Sequence, residues 1–228
     1  MESRGNALSR RQFAGIMAAG AVAAMVGLPS CSPKDASNAK VEKKYDYDVV
    51  VLGGGGAGTS AAGKAAEAGA KTVLLEKMGW LAGSSSICLG GFYGAGNAVQ
   101  KRAGIEDDTP EALLEYFLAS NGDKLDYDVQ EFCAYHFGET IDWLSEELGV
   151  PFQDEVLLKG KDTVKRQSRC KNSGMDALSA VYRFAQDQGA EFMFNMAAEK
   201  LIVDDSGAVC GVLARESNGR LSQFNAKS

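Results

Sequence analysis

A single histidine, His136, stands in 228 residues. That excludes a histidine-rich metal site and a histidine-based catalytic triad within the chain. The five cysteines form no C-x-x-C pair: Cys31 stands alone near the N-terminus, and Cys88, Cys133, Cys170 and Cys210 are far apart. Zinc and haem-attachment spacings are therefore missing, and the four read as isolated small side chains. Positive charge is also short. Lys and Arg number 24 against 30 Asp and Glu, a net charge of −6. Residues 1–31 are themselves basic through Arg4, Arg10 and Arg11, so the acidic excess lies in the rest, where 21 Lys and Arg face 29 Asp and Glu. No basic stripe remains to track phosphates, which removes nucleic acid as a partner. What the chain does have is an apolar fraction of 45%, enough to build the core of one ordinary domain. Charged residues, at 24%, are too few for charge-driven disorder.

The apolar run Ala14–Leu28 holds 15 residues, six of them Ala and three Gly. As a helix it would reach roughly 22 Å at about 1.5 Å per residue, short of the ~30 Å hydrocarbon core. It reads as the apolar region of a signal peptide. The preceding Ser9-Arg10-Arg11-Gln12-Phe13 resembles a twin-arginine signal, a route that carries proteins already folded. Leu28-Pro29-Ser30-Cys31 resembles a bacterial lipobox with an imperfect second position. Lipid anchoring at Cys31 and cleavage near it with free release both stay open. Residues 32–44 lack an apolar pattern and read as a tether. The organisation expected is a signal segment 1–31, a linker 32–44 and a folded part 45–228. Export to the cell envelope or beyond follows.

Glycine is abundant, at 27 residues, and clustered. Asp48 to Leu52 suits a buried parallel strand. Gly53-x-Gly55-x-x-Gly58 follows at once, an Ala-rich helical stretch runs to Gly69, and Thr72 to Leu75 gives a second strand ending on Glu76. This is a strand–turn–helix–strand unit with an acid eighteen residues after Gly58, the context that turns a weak glycine pattern into a dinucleotide site. Gly53 permits the tight turn, Gly55 lets the backbone approach a pyrophosphate, and Gly58 lets the helix pack on the sheet. Gly56 and Ala57 open the helix, whose N–H groups and partial positive charge face the phosphates. Glu76 accepts hydrogen bonds from ribose hydroxyls. The turn alone leaves NAD and FAD both open.

Residues 78–96, MGWLAGSSSICLGGFYGAG, decide between them by resemblance. Glu76-Lys77, then Gly83-Ser84-Ser85 and the doublet Gly90-Gly91, resemble the flavoprotein family of fumarate reductases, succinate dehydrogenases and 3-ketosteroid dehydrogenases. The resemblance implies FAD, with Ser84 and Ser85 near the pyrophosphate and Gly90-Gly91 beside the isoalloxazine. It also implies that Ala198 meets the adenine through its backbone. Members that bind FAD covalently carry a histidine where this chain has Ser84, which implies a non-covalent flavin. An Arg-x-His pattern of many relatives is matched by Ser168-Arg169-Cys170, so the role of that histidine is not carried over. Arg169 itself reads as an exposed loop cation.

Further along, Pro110–Ser120 and about Asp128–Leu148 show helical spacing, the second with Val129, Phe132, Cys133, Phe137, Ile141, Leu144 and Leu148 on one face. His136 falls at the margin of that face, as a packed or edge residue. Residues 159–174 read as a basic polar loop before a helix at Met175–Gln188. Glu191–Met196 reads as one strand, followed by a three-strand meander over Leu201–Val203, Ala208–Ala214 and Leu221–Asn225 with turns at Gly207 and Gly219. The fold expected is α/β: an incomplete Rossmann-like FAD-binding domain with an antiparallel β-meander. In the family an apolar strand closes the flavin site just after the point where this chain ends, and the catalytic groups lie beyond it. The resemblance thus implies the flavin-binding part of an oxidoreductase that reduces an activated C=C bond of a small molecule, fed by a membrane or haem electron donor. Ketosteroid-like desaturation and a non-catalytic fragment are the alternatives, and no catalytic acid or base is named.

Overall fold

The computed structural model describes residues 40–81 and 83–227. The signal segment, the lipobox at Cys31 and residues 32–39 of the expected tether lie outside the described residues. Two β-sheets and a short ribbon organise the rest.

The first sheet is parallel. Strand β2 (Val49–Leu52) runs into helix α1 (Gly56–Glu67), which returns the chain to β3 (Thr72–Leu75). β3 lies between β2 and β6 (Glu191–Met193) and pairs in parallel with both. All four of its residues are buried, as a strand covered on both faces requires. Its alternating side chains serve two cores. Leu74 joins Ala62 and Ala66 of α1 and Ala185 of helix α6 (Gly174–Asp187). Val73 and Leu75 join Met196, Val212, Ala214 and Phe224 of the second sheet.

That second sheet has the order β1-β9-β8-β7, with β1 at Val41–Asp46, β7 at Met196–Val203, β8 at Val209–Glu216 and β9 at Leu221–Asn225. The expected meander is β7–β8–β9, antiparallel throughout. Its fourth strand corrects the sequence reading. Residues 41–44, read as tether, belong to β1, which pairs in parallel with β9. Only Val41 and Tyr45 of β1 are half-buried, so no alternation marks the strand. Backbone pairing and the stacking of Tyr45 on Phe224, with ring centroids 4.8 Å apart, hold it instead. A second correction concerns Glu191–Met196. It is two strands in two sheets, broken at Asn195, whose φ of 57° swings the chain from β6 into β7.

Between β3 and β6 of the first sheet the chain makes a helical excursion: α2 (Ser84–Ile87), strand β4 (Gly91–Tyr93), α3 (Ala98–Arg102), α4 (Pro110–Asn121) and α5 (Tyr127–Asp142), the last extended by a wider turn at Trp143–Glu147. Strand β5 (Gln167–Arg169) then pairs antiparallel with β4. The expected loop 159–174 therefore contains a strand. The buried face of α5 also differs from the apolar face read in the sequence. It comprises Gln130, Ala134, Gly138 and Ile141, while Val129 and Phe132 are 56% and 63% exposed. The reason is close backbone approach. A side chain on Gly138 would strike the Ala95 carbonyl, and one on Gly94 would come within 2.9 Å of the Gly138 amide. Small residues choose the face here, not the greasiest ones.

Candidate cofactor site

The glycine turn carries its geometry in the backbone. Gly53 donates its N–H to Leu75 O at 2.9 Å, which ties the end of β2 to the end of β3. Its φ of 100° is open to glycine and costly for other residues. A side chain at Gly58 would fall on the Gly53 carbonyl, so the first turn of α1 sits directly against the strand end. Helices α3, α4, α5 and α6 start on the capping side chains Asn97, Thr109, Asp126 and Ser173. Helix α1 instead starts at Gly55 with no side-chain cap and no acid in its first turn. The Gly56 N–H is taken by Ser85 Oγ at 3.0 Å, so its N-terminus keeps the N–H groups of Ala57 and Gly58 and the partial positive charge for an anion.

Two further segments converge on this turn. Glu76, 6% exposed at the end of β3, accepts from the Gly54 N–H at 2.6 Å and from the Met78 N–H at 2.8 Å. The carboxylate therefore pins the turn with both its oxygens, and its remaining lone pairs can accept ribose hydroxyls. Sequence reading missed the pinning role. Ser85, half-buried in α2, accepts from the Gly56 N–H at 3.0 Å. Four consecutive glycines without side chains, an uncapped helix start and a carboxylate one strand away fit a dinucleotide pyrophosphate and its ribose.

Beside the turn lies a cavity of about 250 Å³. It gathers four of the expected residues, Gly56, Ser85, Gly90 and Gly91, against apolar walls that include Phe92, Trp143, Leu144, Leu178 and Val181. Gly90 has φ 66°, and a side chain there would meet the Gly174 amide at 2.8 Å. One on Gly91 would meet Gln167 Nε2 at 2.6 Å. The Gly174 N–H reaches Cys88 O and the Cys170 N–H reaches Gly90 O, both at 2.9 Å. The loop is thereby strapped to the start of α6. Of its apolar residues, Phe92 packs against the core, edge-on to Phe152, whereas Ile87 and Leu89 are 80% and 68% exposed.

The other expected residues stand apart from the cavity. Ala57, Gly53, Gly55, Gly58 and Glu76 form the turn region beside it, with Gly83 approaching Gly55. Lys77 and Ser84 are exposed. Ala198 is exposed on β7, next to a bulge at Glu199. It lies two residues beyond Met196, whose N–H bonds to Glu76 O at 2.9 Å. Cys170 is buried, and burial pushes its thiol up to about 11, so it stays protonated at neutral pH and does not replace a histidine in proton transfer. His136 is an exposed edge residue that contacts Glu139 at 2.9 Å, as its position on the helix suggested.

One polar cluster escaped sequence reading altogether. Arg166 is buried with its side chain 2% exposed, between Asp108 and Asp162 at 1% each. Its guanidinium binds both oxygens of Asp108 at 2.6–3.1 Å and both oxygens of Asp162 at 2.9 and 3.0 Å. Gln100 Nε2 donates to Asp108 at 2.8 Å, and the Tyr93 hydroxyl donates to Asp162. Burial alone would raise the Asp162 carboxyl, but the Tyr93 hydroxyl, the Val164 N–H and the Arg166 charge hold it below its ordinary value. Burial, then the bond to Asp162, pushes the Tyr93 phenol up. A basic run in a glycine-flanked segment signalled a solvated loop, and Asp108 is too far away in sequence to have suggested its partner.

A urocanate reductase of Eggerthella lenta is 34% identical to this chain over 187 residues, covering 80% of this chain and 30% of its own. A fumarate reductase (cytochrome) of Shewanella frigidimarina is 28% identical over 170 residues, covering 74% of this chain and 29% of its own. The chain thus spans about 30% of the length of the curated relatives it matches. Among solved structures, the 3-ketosteroid-Δ4-(5α)-dehydrogenase of Rhodococcus jostii RHA1 in complex with 4-androstene-3,17-dione shares the fold. Its TM-score is 0.71 at 24% identity, over 84% of this chain and 46% of that one. The match that includes the turn, Glu76, the cavity and the meander alike is to the family described as FAD binding domain, over residues 48–228. The chain belongs to that family, as an FAD-binding domain.

Proposed function

We propose that this chain is the flavin-holding part of an exported oxidoreductase that reduces an activated carbon–carbon double bond in a small molecule. The observation that carries this is the convergence of the glycine turn, Glu76 and Ser85 on the uncapped start of α1. It occurs in a chain whose relatives include urocanate and fumarate reductases. Bound here, FAD supplies hydride transfer. The protein holds and orients. The start of α1, with Gly55, Gly56, Ala57 and Gly58, faces the pyrophosphate, and Ser84 and Ser85 lie near it. Glu76 accepts from the ribose, Ala198 meets the adenine, and Gly90-Gly91 lie against the ring. The lining of the cavity includes no carboxylate, histidine, lysine, arginine or tyrosine among the described residues. Proton delivery to the substrate carbon is therefore assigned to groups outside that lining. Coverage of about 30% of the relatives' length supports reading residues 45–228 as the first part of a larger flavin domain, with a haem or membrane carrier as electron donor.

FAD added to the purified chain should show a shifted visible spectrum and quenched fluorescence, and Gly55→Val should abolish both. Acid precipitation should leave all flavin in the supernatant, since Ser84 occupies the position of the linking histidine and His136 lies on α5. Flavin retained on the pellet would refute non-covalent binding. Unchanged affinity in Gly55→Val would refute the site. Turnover of a 3-ketosteroid with an electron acceptor, and none of an unsaturated acid with a reduced dye, would replace the proposed reaction. Export rests on Arg10-Arg11, and lipidation on Cys31. Cys31→Ala should move the protein from the membrane to the soluble fraction if the anchor forms.

A further inference from the structure

We infer that Asp108, Arg166 and Asp162 form a positioning cluster that fixes the glycine pair of the cavity from the far end of the β4–β5 ribbon. The inference rests on reading that cavity as part of the flavin site. Tyr93 is the last residue of β4, and Arg166 immediately precedes β5. The Gly94 N–H joins them by bonding to Arg166 O at 3.2 Å. Both side chains end on Asp162. At the opposite end Gly91 pairs with Arg169, and Gly90 accepts from the Cys170 N–H. Tyr93 lies three positions along the strand from Gly90, about 10 Å at ~3.3 Å per residue. None of the cluster's residues lines the cavity, so it acts through the ribbon.

Stability alone does not explain the cluster. Apolar residues of similar volume commonly match or exceed a buried ion set. What the ions add is direction, because a planar guanidinium binds carboxylates bidentately only along its own edges. Asp108 comes from the segment between α3 and α4, and Asp162 from the segment between α5 and β5. Gln100 adds a third tie, donating to Asp108 and to Lys165 O at 2.9 Å. Arg166 is thus held on two sides, and the next residue, Gln167, lays its amide over Gly91. A slip of one residue in this pairing would exchange Gly91 for a side chain at the cavity.

The test compares the unmodified 228-residue chain with Arg166→Lys, which keeps the charge and loses the fork. A second variant, D108N/D162N/R166M, removes every charge at similar volume. Both are expected to melt cooperatively, to bind FAD at least tenfold more weakly, and to give a bound-flavin absorption spectrum at saturation that differs from that of the unmodified chain. A folded variant with unchanged affinity and an unchanged saturated spectrum would overturn the inference. If neither variant folds, hydrogen exchange on the unmodified chain decides. The amides of Gly94, Gln167 and Cys170 should be protected to the same degree without and with FAD. Fast exchange that slows only on adding FAD would mean that the flavin orders the ribbon, and the inference fails. An unmodified chain that binds no FAD removes the site reading, and with it this inference. Binding by the unmodified chain without loss in the variants removes the inference alone.

Discussion

At the scale of single residues, two glycines of one motif have different reasons to be glycine, and substitution separates them. Gly58→Ala forces a methyl group into the Gly53 carbonyl. Overpacking of this kind costs about 1–3 kcal/mol, and FAD binding should be lost because the helix start must move. Gly53→Ala meets nothing within 4 Å and pays only for its left-handed backbone, about 1–2 kcal/mol. Urea midpoints and flavin titrations on the two variants check the order. The Tyr93–Asp162 bond gives a pH signature. The Asp162 carboxyl is held low, so its support of the fold is present above the ordinary carboxylate value near 3.9 and drains away as pH falls below it. The Tyr93 phenol is held high, so its support is whole below about pH 10 and fades as pH rises beyond. Tyr93→Phe should lower stability at pH 7 by about 1.5–3 kcal/mol, the value of a hydrogen bond to a charged group. It should also reduce the alkaline decline. Part of that decline remains with Tyr47, whose phenol is raised by burial and by its bond to Glu191. A stability profile above pH 9 indistinguishable between Tyr93→Phe and the parent would contradict this assignment. The glycine turn was legible in the sequence because all its parts lie within thirty residues. The Arg166 cluster was not, because Asp108 and Tyr93 reach it only through the fold.

At the scale of elements, β2, α1 and β3 were legible as two short apolar runs and an Ala-rich stretch, whereas the helix Ser84–Ile87 and strand Gly91–Tyr93 read as a loop, and α5 exposes the limit of apolar periodicity. Hydrophobicity placed Val129, Phe132 and Phe137 inward, yet contact with the backbone at Gly94-Ala95 requires Ala134 and Gly138 there. Gly138→Ala should therefore destabilise by about 1–3 kcal/mol, whereas Phe132→Ser should stay within about 0.5 kcal/mol. Chemical denaturation of both variants measures the contrast. The reverse ranking would restore the apolar face. Strand β1 was illegible for a different reason: its side chains are mostly exposed, and what makes it a strand is β9, far along the chain. Asn195 was equally silent, since one left-handed residue inside an apolar run leaves no trace in periodicity.

At the scale of the whole molecule, the α/β class, the parallel unit and the meander followed from sequence, and the joining of the sheets did not. The joint is made by β3, which shares Val73 and Leu75 with the meander core, and by β1, which lies beside the last strand. That pairing of Val41 with Leu221 and Asp46 with Asn225 sets a timetable for synthesis. The sheet edge formed by β1 cannot close until the ribosome has passed Asn225, about ten to forty seconds after β1 is made at ~5–20 residues per second. Lys43 and Lys44 should therefore be cut by trypsin in ribosome-bound chains stalled before Leu221 and resist it in released protein. Equal cleavage in the two would show that β1 docks without its partner. Under the export proposed above, late closure makes β1 a reporter of completed folding.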